Sequence, residues 1–189
     1  MEEIRETALP YKKKLTYEDY AELPEGAPYQ LIGGELVLTP APVLYHQRIS
    51  RRLVLHMGAF VDSHRCGEIF FPPTDVYLDE HETYQPDIVF VSNDRKGILQ
   101  KKRIEGAPDL VVEILSPTTA RFDLGEKFAA YEKYGVLEYW IIEPAGKTIE
   151  IFVWAEGRLV TDQKAGEHAR VESKVLAGFG MDTNDIFRS

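Results

Sequence analysis

A single acidic residue, Glu113, interrupts the most apolar stretch of this chain. It stands within the run LVVEIL at residues 110–115, which is bounded by Pro108 and by the pair Ser116-Pro117. A short apolar run between turn-forming residues is typical of a buried strand rather than a helix. An ionised carboxylate is costly to bury unless a cation or hydrogen-bond donors meet it. We therefore expect a positive charge beside Glu113.

Two cations are available to Glu113, and neither excludes the other. After Pro117 the pattern changes to helical spacing, with Asp123, Lys127 and Tyr131 four residues apart on one stripe. A helix that folds back on its strand would bring Lys127 to Glu113. Asp123 is then suited to orient the lysine, whereas packing is the simplest role for Tyr131. The other available cation is a divalent metal, which requires a second acid.

Asp87 is the candidate for that second acid. It follows Pro86 and precedes the apolar residues IVFV at positions 88–91, which are typical of a strand. Asp87 and Glu113 are 26 positions apart in the chain, so their two strands can pair through the intervening loop. Carboxylates are the ligands that a hard cation such as Mg²⁺ prefers.

These motifs resemble the PD-(D/E)XK nuclease superfamily, in which a Pro-Asp pair precedes a strand that carries a second acid. The runs PDIVFV, EGAPDLVVEILSPTTARFD and EKFAAYEKYGVLEYWIIEP, together with the earlier YQLIGGELVLTPAP, are similar to the Uma family of restriction-endonuclease-like proteins. The resemblance extends from about Leu15 to Phe187. It implies an α/β fold whose central mixed sheet has an αβββαβ core flanked by helices.

The resemblance also implies an activity, that of an endonuclease that uses Mg²⁺, or Mn²⁺ as a substitute, to hydrolyse DNA. Asp87, Glu113 and the backbone carbonyl of Ile114 would hold the metal. Lys127 would orient water or neutralise the charge that develops at phosphorus. The superfamily places its lysine two residues after the acid, where this chain has Leu115. In the Uma family that role moves to the following helix, which here supplies Lys127.

Glu35 and His46 resemble family positions near the active site, and we include both as candidate catalytic residues. Glu35 begins the segment ELVL after the hairpin signal Gly33-Gly34, and His46 begins a long helical pattern. A lone histidine at a helix start is more often a capping or surface residue, and this alternative stays open.

The remaining pattern predicts the elements around these residues. Helical periodicity is expected over 46–64 and again from Pro117 to Gly135. Strands are expected over 67–71 and 74–78, and a meander of three strands follows between 137 and 161.

The overall charge argues against a protein that binds nucleic acid through a global positive field. The formal net charge is −9 and the pI is about 5.1, whereas nucleic-acid-binding domains are commonly basic. Phosphate contacts need only a local patch, however, and the segment 95–103 carries five basic residues between the two acidic strands. The same segment is equally compatible with a solvated loop.

Length and hydropathy predict one domain. The 189 residues are 44% hydrophobic, which suits a single core. No apolar run approaches the roughly 18 residues of a membrane span, and the first residues lack a secretory hydrophobic segment, so a cytoplasmic protein without membrane contact is expected. We expect an N-terminal arm over residues 1–14 and a single restriction-endonuclease-like domain over 15–189, with an N-terminal hairpin and added C-terminal strands.

Three functions are compatible with these residues. The leading one is a Mg²⁺-dependent endonuclease that acts on DNA, and a homodimer is expected because a symmetric pair of sites suits the cutting of both strands. The alternative is a catalytically degenerate nuclease fold that serves as a binding or scaffolding module, which the displaced lysine and the acidic composition favour. A glycosidase with paired carboxylates is weaker because no aromatic platform for a sugar stands out.

Overall fold

Thirteen strands, five α-helices and one 3₁₀ helix (Asn93–Ile98) lie within residues 13–188, the part of the chain that the computed structural model describes. The strands are β1 (Tyr29–Ile32), β2 (Glu35–Leu38), β3 (Gly67–Phe70), β4 (Val76–Asp79), β5 (Glu82–Tyr84), β6 (Ile88–Ser92), β7 (Ile104–Glu105), β8 (Leu110–Ile114), β9 (Glu138–Glu143), β10 (Thr148–Ala155), β11 (Arg158–Ala165), β12 (Arg170–Glu172) and β13 (Gly180–Asp182). The helices are α1 (Tyr17–Ala21), α2 (Leu44–His64), α3 (Ala120–Leu124), α4 (Glu126–Tyr134) and α5 (Asn184–Phe187). Residues 1–12 of the predicted arm lie outside the described residues. None of the helices between residues 13 and 188 has the length and apolar character needed to cross a membrane.

The central sheet has six strands in the order β11-β10-β9-β8-β6-β3. β8 and β9 run parallel, and the other neighbouring pairs are antiparallel. Along the chain, α2, β3, β6, β8, α4 and β9 follow one another as the main elements of this layer. They reproduce the αβββαβ core that the family resemblance implies, so the predicted fold class is confirmed.

The register of the two acidic strands brings Asp87 and Glu113 together. Ile88 of β6 lies opposite Val112 of β8 in an antiparallel pair, and one step further along this register Asp87 lies opposite Glu113. Opposite residues of an antiparallel pair project to the same face of the sheet, a few ångströms apart. The sheet therefore presents both carboxylates on one face, at the same end of two neighbouring strands.

Each face of the central sheet has its own apolar core. On one face, Leu53 of α2 packs with Val112 and Trp140, and the β12–β13 pair and α5 join this cluster. On the other face, Tyr131 of α4 packs with Val111 and with residues of a second sheet in the order β2-β1-β5-β4-β7. Val111 and Val112 serve opposite clusters because successive residues of a strand alternate between faces. Glu113 follows Val112 and so projects to the side of α4.

The helix predicted between Pro117 and Gly135 is divided into two. α3 and α4 meet at Gly125, whose φ of −120° and ψ of −96° are not helical. A Cβ at this position would lie 2.9 Å from the carbonyl oxygen of Arg121, closer than real Cβ atoms approach. Glycine thus permits a break that the continuous spacing of apolar residues did not reveal.

Leu53→Ala is expected to lower the free energy of unfolding by about 2–5 kcal/mol, because it opens a cavity in the α2 core. Leu53 is 0% exposed. Leu55→Ala is the matched control from the same helix, since Leu55 is 56% exposed and surface substitutions change stability by about 0.5 kcal/mol or less. Urea unfolding of both variants measures the difference. Equal losses would contradict the packing of α2 described above.

Candidate active site

Glu113 accepts two hydrogen bonds inside the protein. Lys127 Nζ donates to Glu113 Oε1 over 2.9 Å, and the Tyr131 hydroxyl donates to the same oxygen over 2.8 Å. Glu113 is 4% exposed and Lys127 is 3% exposed. Both donors come from α4, one helical turn apart. The cation expected beside Glu113 is therefore present within the chain itself.

Lys127 contacts a second acid besides Glu113, namely Asp123. Asp123 Oδ1 lies 2.9 Å from Lys127 Nζ, and Asp123 Oδ2 accepts a long hydrogen bond of 3.4 Å from the Thr119 hydroxyl. The contact between Asp123 and Lys127 agrees with the spacing of four residues. One ammonium group thus serves two buried carboxylates, and Asp87 adds a third on the neighbouring strand. When all are ionised, negative charge exceeds positive charge in this cluster.

Burial and the excess of negative charge change the proton affinity of these groups. Burial is the main cause that raises the pKa of Glu113 to about 8; Lys127 opposes it, and Asp123 and Asp87 reinforce it. Burial also raises the pKa of Asp123, against the influence of Lys127. For Lys127, burial alone would lower the pKa, but Glu113 and Asp123 outweigh it and raise the pKa. The lysine therefore stays charged at neutral pH, and Glu113 takes up a proton more readily than an exposed carboxyl does.

Asp87, Ile114 and His46 form a second group next to this cluster. The backbone N–H of Ile114 donates to Asp87 Oδ2 over 2.8 Å. His46 Nε2 lies 3.0 Å from the carbonyl oxygen of Ile114 and 3.3 Å from Asp87 Oδ2. Both oxygens are acceptors, so Nε2 carries the hydrogen. Burial opposes a charge on the ring, but the hydrogen bond and charge of Asp87 outweigh it and raise the pKa of His46.

His46 is therefore a buried residue of the site, and the alternative of a surface or capping histidine is wrong. It belongs to the first turn of α2, and its Nδ1 is buried without a hydrogen-bond partner among the described residues. The ring reaches past the end of β8 to the Ile114 carbonyl. Its part in catalysis stays a prediction.

The acids line a cavity of about 1020 Å³. Its wall includes Asp87, Glu113, Asp123, Lys127 and His46. The structure thus brings together the residues predicted from the strand and helix motifs, in a space large enough for a small-molecule fragment or a nucleotide.

Glu35 does not line this cavity, and its part in catalysis stays a prediction. It is the exposed first residue of β2, next to the hairpin turn. The hairpin reaches the cavity at its other end, through Gln30 and Thr39. Four residues of strand, about 13 Å, separate Glu35 from Thr39. Glu35 instead lines a second groove with Arg121 and Glu126, which neighbour Asp123 and Lys127 in the chain.

The basic segment 95–103 is also remote from the acids. It follows the last residue of β6, Ser92, whereas Asp87 precedes the first residue of that strand. Arg103 is held by Glu105 over 2.6 Å and stacks on two tyrosine rings. The segment contributes no residue to the cavity wall, so the solvated-loop interpretation describes it better than a phosphate patch at the site.

The oxygen atoms at the cavity suit a hard divalent cation. Both hydrogen bonds that the described residues donate to Glu113 fall on Oε1, and the Ile114 N–H and His46 Nε2 both contact Asp87 on Oδ2. Between residues 13 and 188, no three His, Cys, Asp or Glu side chains are grouped as a metal site. Mg²⁺ commonly binds through one or two carboxylates and keeps several waters. Asp87 and Glu113 meet that description, with the Ile114 carbonyl beside them.

Sequence reasoning missed the role of the Tyr131 hydroxyl. The position was assigned to packing, and the ring is indeed fully buried, but its oxygen donates to Glu113. The available signal was its spacing of four residues from Lys127, which places both on one stripe of α4.

The free energy of unfolding of the metal-free protein is expected to fall as the pH rises from about 4.5 to about 8. In this range Glu113 binds more protons in the folded state than in the unfolded state, so stability decreases with pH. Glu113→Gln cannot ionise but keeps an acceptor for Lys127 and Tyr131, and it should flatten the curve. Urea unfolding of both proteins with a chelator measures this slope. Parallel curves would show that Glu113 has an ordinary pKa.

Three comparisons with known proteins agree with this architecture. The family model Uma2, described as "Putative restriction endonuclease", matches residues 17–184. "Uncharacterized protein sll1609" of Synechocystis sp. (strain ATCC 27184 / PCC 6803 / Kazusa) is 29% identical over 170 residues, which cover 85% of this chain and 93% of that protein. A crystal structure titled as that of "a putative nuclease belonging to DUF820 from Anabaena variabilis ATCC 29413" has a TM-score of 0.76 at 23% identity, over 92% of this chain and 97% of the other. That likeness is one of fold, whereas the family match spans most of the chain, and we conclude that this protein belongs to the Uma2 family of restriction-endonuclease-like proteins.

Proposed function

We propose that this protein is a Mg²⁺-dependent endonuclease that hydrolyses DNA phosphodiester bonds in the cavity formed by Asp87 and Glu113. The observation that carries the proposal is the meeting of two strand-borne carboxylates with a buried lysine at one cavity wall. Membership of a nuclease family supports the reaction class. Mn²⁺ is proposed as a substitute metal, and a cytoplasmic homodimer as the working form.

Asp87, Glu113 and the Ile114 carbonyl are the groups that would hold the metal. When bound, the metal would supply Lewis-acid stabilisation of the phosphate and lower the pKa of a water molecule. A bound cation would favour the ionised form of Glu113, against the burial that raises its pKa. His46 fixes the Ile114 carbonyl through its Nε2 hydrogen bond. Asp87 is in turn fixed by the backbone N–H of Ile114.

Lys127 acts as a fixed positive charge rather than as a proton donor or base. Its ammonium is buried between Glu113 and Asp123, and these carboxylates raise its pKa. A charge in this place orients Glu113 and offsets the repulsion among the acids. Tyr131 supports the same Glu113 oxygen from the next turn of α4.

The degenerate binding or scaffolding module remains the second candidate function. The observation that favours it is the complete engagement of Lys127 by two acids, which also holds Glu113 in an internal ion pair. A protein of this kind would keep the fold and the buried cluster but bind no metal. Metal titration therefore separates the two functions.

Asp87→Asn and Glu113→Gln are each expected to lower the rate of plasmid nicking by about 100-fold or more, since loss of metal-ion stabilisation removes several kcal/mol from the transition state. Calorimetric titration with Mg²⁺ and Mn²⁺ should show the loss of binding in the same samples. Glu68→Gln, at an exposed position of β3, is the control that should bind and nick like the wild type.

Absence of metal binding by the wild-type protein would contradict the endonuclease proposal and leave the binding module. Binding without nicking would show that the carboxylates hold a metal in a protein that does not cut plasmid DNA.

A further inference from the structure

Apart from the acids, most of the exposed surface of the cavity is apolar, and hydroxyl and amide side chains such as Ser116, Thr118 and Gln47 also line it. Phe71 contributes an aromatic ring that is 55% exposed. Pro40, Pro42, Val43 and Pro72 line the same space. An exposed apolar wall next to a polar site commonly marks a ligand surface, because water solvates it poorly. A surface of this kind offers few positive charges to the phosphates of a nucleic acid.

Exposed positive charge at the cavity is limited to Arg51. This residue is exposed on α2, and it forms no ion pair with another residue of the described range 13–188. Lys127 also lines the cavity, but it is buried and held by Glu113 and Asp123. The basic segment 95–103 lies at the far end of β6. A nucleic acid in this cavity therefore meets one exposed guanidinium group and an apolar wall.

Proteins bind an intact duplex and an unpaired strand through different contacts. Duplex DNA carries about one negative charge per 1.7 Å of its axis and is bound largely through neutralisation of several phosphates. Its base faces are hidden by stacking. An unpaired strand exposes these faces, which stack on aromatic side chains and so contribute affinity without a broad positive surface.

We infer that the substrate of this site is an unpaired stretch of nucleic acid, with bases packed against Phe71 and the prolines and a backbone phosphate between Arg51 and the acids. The inference rests on the proposed nuclease function and narrows its substrate class. The inference also bears on the proposed homodimer. A site that cuts one unpaired strand does not need a second copy of the protein on the opposite side.

The test uses labelled DNA of one sequence in three forms: single-stranded, fully duplex, and duplex with a central unpaired bubble. With Mg²⁺ or Mn²⁺, the wild-type protein is expected to cut the single strand and the bubble with a kcat/KM at least about tenfold above that for the duplex, which is the effect of one stacked base. Cuts in the third form should fall within the bubble.

Phe71→Ala should raise KM for the single strand by about tenfold with little change in kcat, and Phe71→Trp should restore the wild-type KM. Trp154→Ala is the matched control, because Trp154 is an exposed aromatic residue of β10 that does not line the cavity. It should behave as the wild type.

Equal or faster cutting of the duplex, or an unchanged KM in Phe71→Ala, would overturn this inference and leave the nuclease function intact. If no form is cut and no metal is bound, the proposed function itself fails and the inference fails with it. The two failures are thus distinguishable in one set of measurements.

Discussion

The buried charge of Glu113 is the constraint on which the site depends. Removal of the partner of a carboxylate buried at this depth would destabilise the folded protein by several kcal/mol. Here the partners are an ammonium group and a phenol from one helix, and both donate hydrogen bonds to Glu113. The remaining imbalance is not neutralised by side chains, because Asp123 and Asp87 add further negative charge. A cluster that is short of positive charge, next to a cavity, is a place where a cation is stabilised and where a proton is held in its absence.

The topology of the sheet explains why the lysine arrives where it does. β8 and β9 are parallel neighbours, and parallel strands require a crossover that passes over one face of the sheet. α4 belongs to this crossover and covers the face to which Glu113 projects. β6 pairs antiparallel with the other edge of β8, and this pairing brings Asp87 next to Glu113. Two ordinary rules of strand connection thus assemble three groups that are distant in the chain.

The features predicted correctly are those with a local signature. The strands that carry Asp87 and Glu113, the long helix that begins near His46 and the Gly33-Gly34 hairpin all follow from periodicity or turn chemistry. β5 and β7 were missed, because strands of two or three residues are too short to show a period.

Orientation was the other limit of prediction. The hairpin turn was predicted, but the direction in which it packs was not, and Glu35 lines a separate groove rather than the cavity of the acids. The basic segment 95–103 is close to Asp87 in the chain and far from it in space, because a whole strand intervenes. For Tyr131, a buried tyrosine has the same helical spacing whether or not its hydroxyl finds a partner.

Delivery of the lysine by α4 has a consequence for how such sites are recognised from sequence. In this chain the position two residues after the acid is Leu115, which directly follows β8 and packs at the edge of the apolar core. Residue patterns that demand an acid and a lysine on one strand would pass over the chain, although the ammonium lies 2.9 Å from the same carboxylate. The similarity among these sites lies in the spatial arrangement of their atoms. This arrangement can be kept when the charged group comes from another segment of the chain.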